Sequence, residues 1–160
     1  MKNFLKVGTV LALAAGMSTI AYAQIKPEDA IRARQSIMRV IALNYGPVSQ
    51  MAQDKIPFNQ DVFVANALRM ESVWAMNPTR FFVPGSEKPV AGSKIATFTD
   101  ANGEPWSQPE KFKAAYDKET QEIGKLAAAA RSGDEKAMKA AAGDVGKGCK
   151  ACHDDFQVKK

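Results

Sequence analysis

The sequence predicts an all-α fold: an antiparallel, up-down four-helix bundle with a long loop between the second and third helices. Three observations predict it. Apolar residues recur at three- and four-residue intervals in four separate segments, the spacing that gathers them on one helical face. Proline, glycine and acidic residues stand where those segments should begin and end. Two of the three connections are short, and short connections make consecutive helices antiparallel neighbours.

Residues 1–23 read as a leader that is cleaved. Lys2 and Lys6 precede the apolar run "VGTVLALAAGMSTIA", and Ala21 and Ala23 in "AYAQ" supply the small-x-small pattern of a signal-peptidase site. The run is short for a membrane span, so the expectation is export with no membrane insertion of the mature protein. Residues 24–160 then form a single domain, and 137 residues suit one core. Losing Lys2 and Lys6 lowers the formal charge from +5 to +3. No Lys/Arg run or aromatic-basic interleaving accompanies that mild positive charge, so nucleic acid is not an expected partner.

The first helix opens at "KPEDA", where Pro27 suits a first turn and Glu28 and Asp29 complement the N-terminal dipole. Ile31, Met38, Ile41, Tyr45 and Val48 follow at helical spacing, with a kink or short break expected at Gly46-Pro47. "DKIPFNQ" is the first connection. The second helix, Gln60 to Met76, is apolar on one side through Phe63, Ala67, Met70 and Trp74, and on another through Val64 and Leu68; it should be well buried. Asn77-Pro78 stops it. Residues 77–108 carry four prolines and three glycines with no sustained period, which marks a long functional or crossover loop; "KIATFTD" is the one place a short strand pair would fit.

The third helix starts near Ser107 or Gln108, with Pro109 and Glu110 in its first turn and Phe112, Tyr116, Ile123, Leu126 and Ala130 as its inner stripe. In "RSGDE", Gly133 ends that helix and Asp134 caps the next. The fourth helix sets Met138, Ala141, Ala142, Val145, Cys149, Cys152 and Phe156 on one side.

The last helix holds the chemistry. The chain has two cysteines and one histidine, and all three fall in "CKACH". That is the attachment pattern of haem c. On a helix, residues three and four apart share a face. Cys149 and Cys152 can therefore both add to the vinyl groups of one porphyrin, and His153 can bind its iron as proximal ligand. A structural zinc site draws four ligands mainly from Cys and His, more than this chain owns. A redox CxxC would follow a strand in an α/β pattern, which is absent. Gly143, Gly146 and Gly148 precede the motif, each costing up to ~1 kcal/mol in a helix interior; the expectation is that side chains there would strike the haem or a neighbouring helix.

No Met, His or Cys follows His153, so any sixth iron ligand must come from upstream, and no second histidine exists. The mature methionines read first as core filler. Met38 differs only in lying on the inner face of the first helix, four residues after Arg34. Arg34 falls on the same apolar stripe. Such an arginine usually snorkels to solvent, but a haem would offer it propionates.

"KPEDAIRARQSIM", "FVPGSE", "WSQPEKF" and "DVGKGCKACHDDF" together resemble the cytochrome c′ family across essentially the whole mature chain. The resemblance implies a periplasmic four-helix bundle carrying one covalent haem c, often a homodimer packed through its first two helices. It implies five-coordinate, high-spin iron that binds NO and CO on a face shielded by Met38. It also places Arg34, Gln35, Ser86 and Glu87 at the haem or its propionates, and implies exchange with an unidentified redox partner. One departure stands out: members usually carry Arg or Lys four residues after the haem histidine, where this chain has Gln157. The alternative is a low-spin electron carrier in which Met38 is the sixth ligand. Catalysis is not expected, since no distal histidine or other acid-base pair is evident.

Overall fold

The structure, a computed structural model, describes residues 25–94 and 98–159. The leader 1–23 and the proposed mature start at Gln24 lie outside the described residues, as do residues 95–97 within "KIATFTD". Four long helices make the bundle: α1 (Pro27–Ala52), α2 (Gln60–Trp74), α4 (Pro109–Ser132) and α5 (Glu135–Phe156). A fifth, α3 (Glu104–Ser107), is one turn long.

The helix ends follow local chemistry. Pro27 lies in the first turn of α1, with Glu28 and Asp29 beside it. The helix runs unbroken through Gly46-Pro47 to Ala52, so the expected break does not occur. Pro47 has no N–H for the Leu43 carbonyl, but Leu43 is 68% exposed and water can serve that group. Buried Val48 and Met51 hold the final turn to the core. Asn59 caps α2, its side chain accepting from the Val62 N–H at 3.0 Å. The helix ends at Trp74, two residues before the expected end. Asn77 adopts a left-handed φ of 53° directly before Pro78, a conformation asparagine tolerates.

The connection to α4 is less irregular than its composition suggests: Pro78–Phe81 form a 3-10 turn and Glu104–Ser107 form α3. Gly103, at φ 87°, lets the chain turn into α3. Gly133, at φ 74°, ends α4, and Asp134 caps α5 by accepting from the Ala137 N–H at 3.1 Å. Among the described residues there is no strand; Ala101 and Gln157 form one isolated antiparallel bridge.

In the bundle, α1 packs on α2 and α5, and α4 packs on α2 and α5. The core combines Ile37, Ile41, Val48 and Met51 of α1 with Phe63, Met70 and Trp74 of α2, Ile123 and Leu126 of α4, and Met138 and Val145 of α5. The second apolar side of α2 is not well buried, contrary to expectation. Val64 is half-buried against the core, Leu68 is half-buried, and Val62 is exposed. No helix among the described residues is long and apolar enough to cross a membrane.

The long connection is tied at both ends of the molecule's chain. Gln35 Nε2 donates to the Phe98 carbonyl at 2.5 Å. The Val158 N–H donates to Asp100 O at 2.7 Å, and the Asn102 N–H to Phe156 O at 3.2 Å.

Candidate haem-attachment site

Because α5 stays helical to Phe156, it carries Cys149, Cys152 and His153 within adjoining turns. Both thiols are half-buried and unpaired. Cys149 packs against the core and donates from Sγ to Glu119 Oε1 at 3.2 Å. Burial and the neighbouring Glu119 push the Cys149 thiol far above its usual range. The same two causes raise Cys152 to about 11. The His153 ring lies at the surface. Desolvation on its inner side draws its pKa down against the pull of Asp154, which favours the neutral imidazole that a metal requires.

Glu119 is the residue that sequence reasoning missed. It sits on α4, 2% exposed, and its Oε2 has no hydrogen-bond partner. Burial lifts its pKa to about 7. It also explains one glycine: a Cβ on Gly148 would lie on the Glu119 carboxylate, 3.1 Å from Cδ and closer still to Oε2. Gly146 is explained the same way, since its Cβ would lie on Tyr45 Oη. Tyr45 Oη itself donates to the Ala142 carbonyl at 3.0 Å. Gly143 meets no neighbouring helix, with no protein atom within 4 Å of its Cβ position.

A second cluster gathers around Arg34, which is buried. Nη1 donates to Phe81 O at 3.1 Å and to Ser86 Oγ at 2.8 Å; Nη2 donates to Ser86 O at 2.5 Å and to Thr99 Oγ1 at 2.9 Å. All four terminal N–H groups are thereby committed to the long connection. A carboxylate arriving at Arg34 would meet Nε–H or would have to displace one of those acceptors. Phe82 and Trp106 cover the guanidinium at 4.8 and 5.4 Å. Burial lowers its pKa to about 10, with Glu87 opposing. Ser86 is fully buried, and Glu87 Oε1 accepts from the Gly85 N–H at 3.1 Å.

The structure thus brings Arg34 and Ser86 into direct contact, with Glu87 beside them and Gln35 on the same loop at Phe98. Met38 is half-buried against the core on α1. A line of rings runs between the two clusters: Trp106 to Phe82 at 5.3 Å, Phe82 to Phe112 at 4.6 Å, and Phe112 to Phe156 at 5.1 Å. It ends three residues beyond His153. Gln157 is exposed at the end of α5, its N–H donating to His153 O at 3.0 Å.

The donor set fits a covalent porphyrin. Two free thiols one turn apart can form thioethers, and the adjacent imidazole can take an iron that the porphyrin already holds. Among the described residues, no group of three or more His, Cys, Asp or Glu converges for a bare metal ion.

Comparison with known proteins agrees. A family model described as Cytochrome C′ matches residues 29–157. The chain is 40% identical over 134 residues to cytochrome c′ of Rubrivivax gelatinosus, covering 84% of this chain and 98% of the relative. The crystal structure of that protein superposes with a TM-score of 0.75, covering 83% of this chain and 98% of that one. A nitric oxide complex of an alanine-for-leucine variant of the protein from Alcaligenes xylosoxidans is 35% identical, with a TM-score of 0.73 over 86% of this chain and 99% of that one. A carbon monoxide complex of a glycine-for-leucine variant of the same protein is also 35% identical, with a TM-score of 0.72 over 84% and 98%.

Proposed function

The chain belongs to the cytochrome c′ family, and on that premise we propose that it is a periplasmic haem protein with a guarded gas-binding site. Its cofactor is a single covalent haem c. Cys149 and Cys152 would hold the porphyrin through two thioethers and His153 would bind its iron. When bound, the group supplies an iron that takes a diatomic ligand or a single electron. The observation that carries the reading is the pair of unpaired thiols beside one imidazole on α5, in a chain with no other cysteine or histidine.

The chain's own residues do the rest. Met38 would shield the iron and yield to NO or CO. Arg34, Gln35, Ser86 and Glu87 set the haem edge, with Arg34 fixing the loop that carries Ser86. Residues 1–23 direct export, and residues 24–160 are the working domain. The protein pairs with a second copy through α1 and α2, where Val40, Leu43 and Val62 are exposed. It also exchanges electrons with a redox partner.

Attachment is tested by staining for haem after denaturing electrophoresis. The wild type should retain stain, each single Cys→Ala variant should retain less, and Cys149→Ala/Cys152→Ala should retain none. Covalent haem in the double variant would refute the thioether assignment.

A further inference from the structure

Glu119 is the one buried acid among the described residues. It is 2% exposed, and no cation pairs with it among the described residues. One oxygen is held only by the Cys149 thiol and the other has no partner. A buried carboxylate left this way normally neutralises unless something compensates its charge.

Thioether formation removes the hydrogen that Cys149 Sγ donates. Addition of the thiol across a vinyl group forms one C–S bond, and the hydrogen ends on carbon. Glu119 then faces a sulfur that cannot donate. The ferric iron, carried on the porphyrin to which that sulfur is bonded, would then add its positive charge to the compensation that Lys118 supplies. Reduction lowers the iron's charge by one and withdraws that part of the compensation.

Resting on covalent haem attachment at Cys149, we propose that Glu119 is a redox-linked proton site, taking up one proton from solvent as the iron gains one electron from a one-electron donor. The balance is simple: ferric iron with a Glu119 carboxylate, plus one electron and one proton, gives ferrous iron with a neutral Glu119 carboxyl. Oxidation reverses it.

The surroundings favour this role. On α4 itself, Glu122 raises the affinity of Glu119 for a proton and Lys118 opposes. Facing it from α5 are Cys149 and Cys152, and from α1 Tyr45, all of which sense its charge. From α2 no charged group acts on it. It accepts from Cys149 and lies beside Gly148. Burial lifts its pKa to about 7 while the Cys149 thiol donates to it; losing that donor raises it further and the ferric charge opposes.

The test uses haem-loaded protein in wild-type and Glu119→Gln forms. The midpoint potential is measured by spectroelectrochemistry from pH 5 to 9. The potential of the wild type should fall with rising pH around neutrality, at a slope below the one-proton, one-electron limit of about 59 mV per pH unit. Glu119→Gln should lose that part of the slope. Reduced-minus-oxidised infrared spectra of the wild type should show a neutral carboxylic acid appearing on reduction, and the variant should lack it. Equal slopes in both forms, or no such band in the wild type, would overturn the proposal. The infrared result decides even if the variant misfolds. Absence of covalent haem in the wild type would instead overturn the haem reading, and staining distinguishes the two failures.

Discussion

Gly146→Ala gives a quantitative check on the packing of α5. In an open helix interior this change should stabilise by ~1 kcal/mol. Here the new Cβ would lie 3.3 Å from Tyr45 Cζ and closer still to Oη. Tyr45 must retreat by about 1 Å to restore ordinary contact, and this breaks its bond to the Ala142 carbonyl. Overpacking costs about 1–3 kcal/mol and the lost hydrogen bond about 1 kcal/mol. Set against the propensity gain, the net expectation is a loss of about 2 kcal/mol. In a Tyr45→Phe background the hydroxyl is gone and the nearest atom is the ring carbon at 3.3 Å, a gap that a few tenths of an ångström repairs. There the alanine should stabilise by about 0.5–1 kcal/mol. Guanidinium unfolding of the haem-loaded forms, followed by far-UV circular dichroism, closes the double-mutant cycle. Gly143→Ala, with no protein neighbour within 4 Å, is the control and should respond equally in either background. If Gly146→Ala has the same effect with and without the Tyr45 hydroxyl, to within about 0.5 kcal/mol, the close approach of α1 to α5 is wrongly described.

Three further outcomes are expected. Arg34→Met leaves Ser86, Phe81 and Thr99 without their donor and should cost about 3 kcal/mol in chemical denaturation, with faster proteolysis between α2 and α4; a loss under about 1 kcal/mol would mean the loop is held by other contacts. Glu119 has a folded-state pKa raised from 4.5 to about 7, so the folded form binds the extra proton and stability should fall as pH rises through that window. Relative to Glu119→Gln the wild type should lose ~3 kcal/mol by pH 8, and parallel stability profiles for the two would contradict the assigned burial. Met38→Ala should speed CO association severalfold in flash photolysis; an unchanged rate would identify a different guard.

Much of this architecture is legible in the chain. The helical stripes, the Gly133-Asp134 corner and the haem-attachment triplet are local signals, and local signals survive in sequence. Glu119 shows where such reading stops short. The α4 stripe of Phe112, Tyr116, Ile123, Leu126 and Ala130 has a gap that falls on residue 119, so the period itself marks that position as inward. Its charge argued against burial and hid it. Arg34 was visible as an arginine on an apolar face, but its partners were not. Ser86 and Thr99 lie 52 and 65 residues away, in a connection whose conformation is set by tertiary hydrogen bonds and not by any repeat. The same holds for Phe82 and Trp106, which cover Arg34 from that connection. The end of α2 depended on one backbone angle at Asn77, below the resolution of a pattern.

An optical spectrum of the purified haem-loaded protein, ferric and ferrous, with and without CO, tests the guarded gas site most directly. A high-spin ferrous spectrum that shifts when CO is added is expected. A sharp low-spin ferrous spectrum that CO leaves unchanged would give the sixth position to Met38 and make the protein an electron carrier alone.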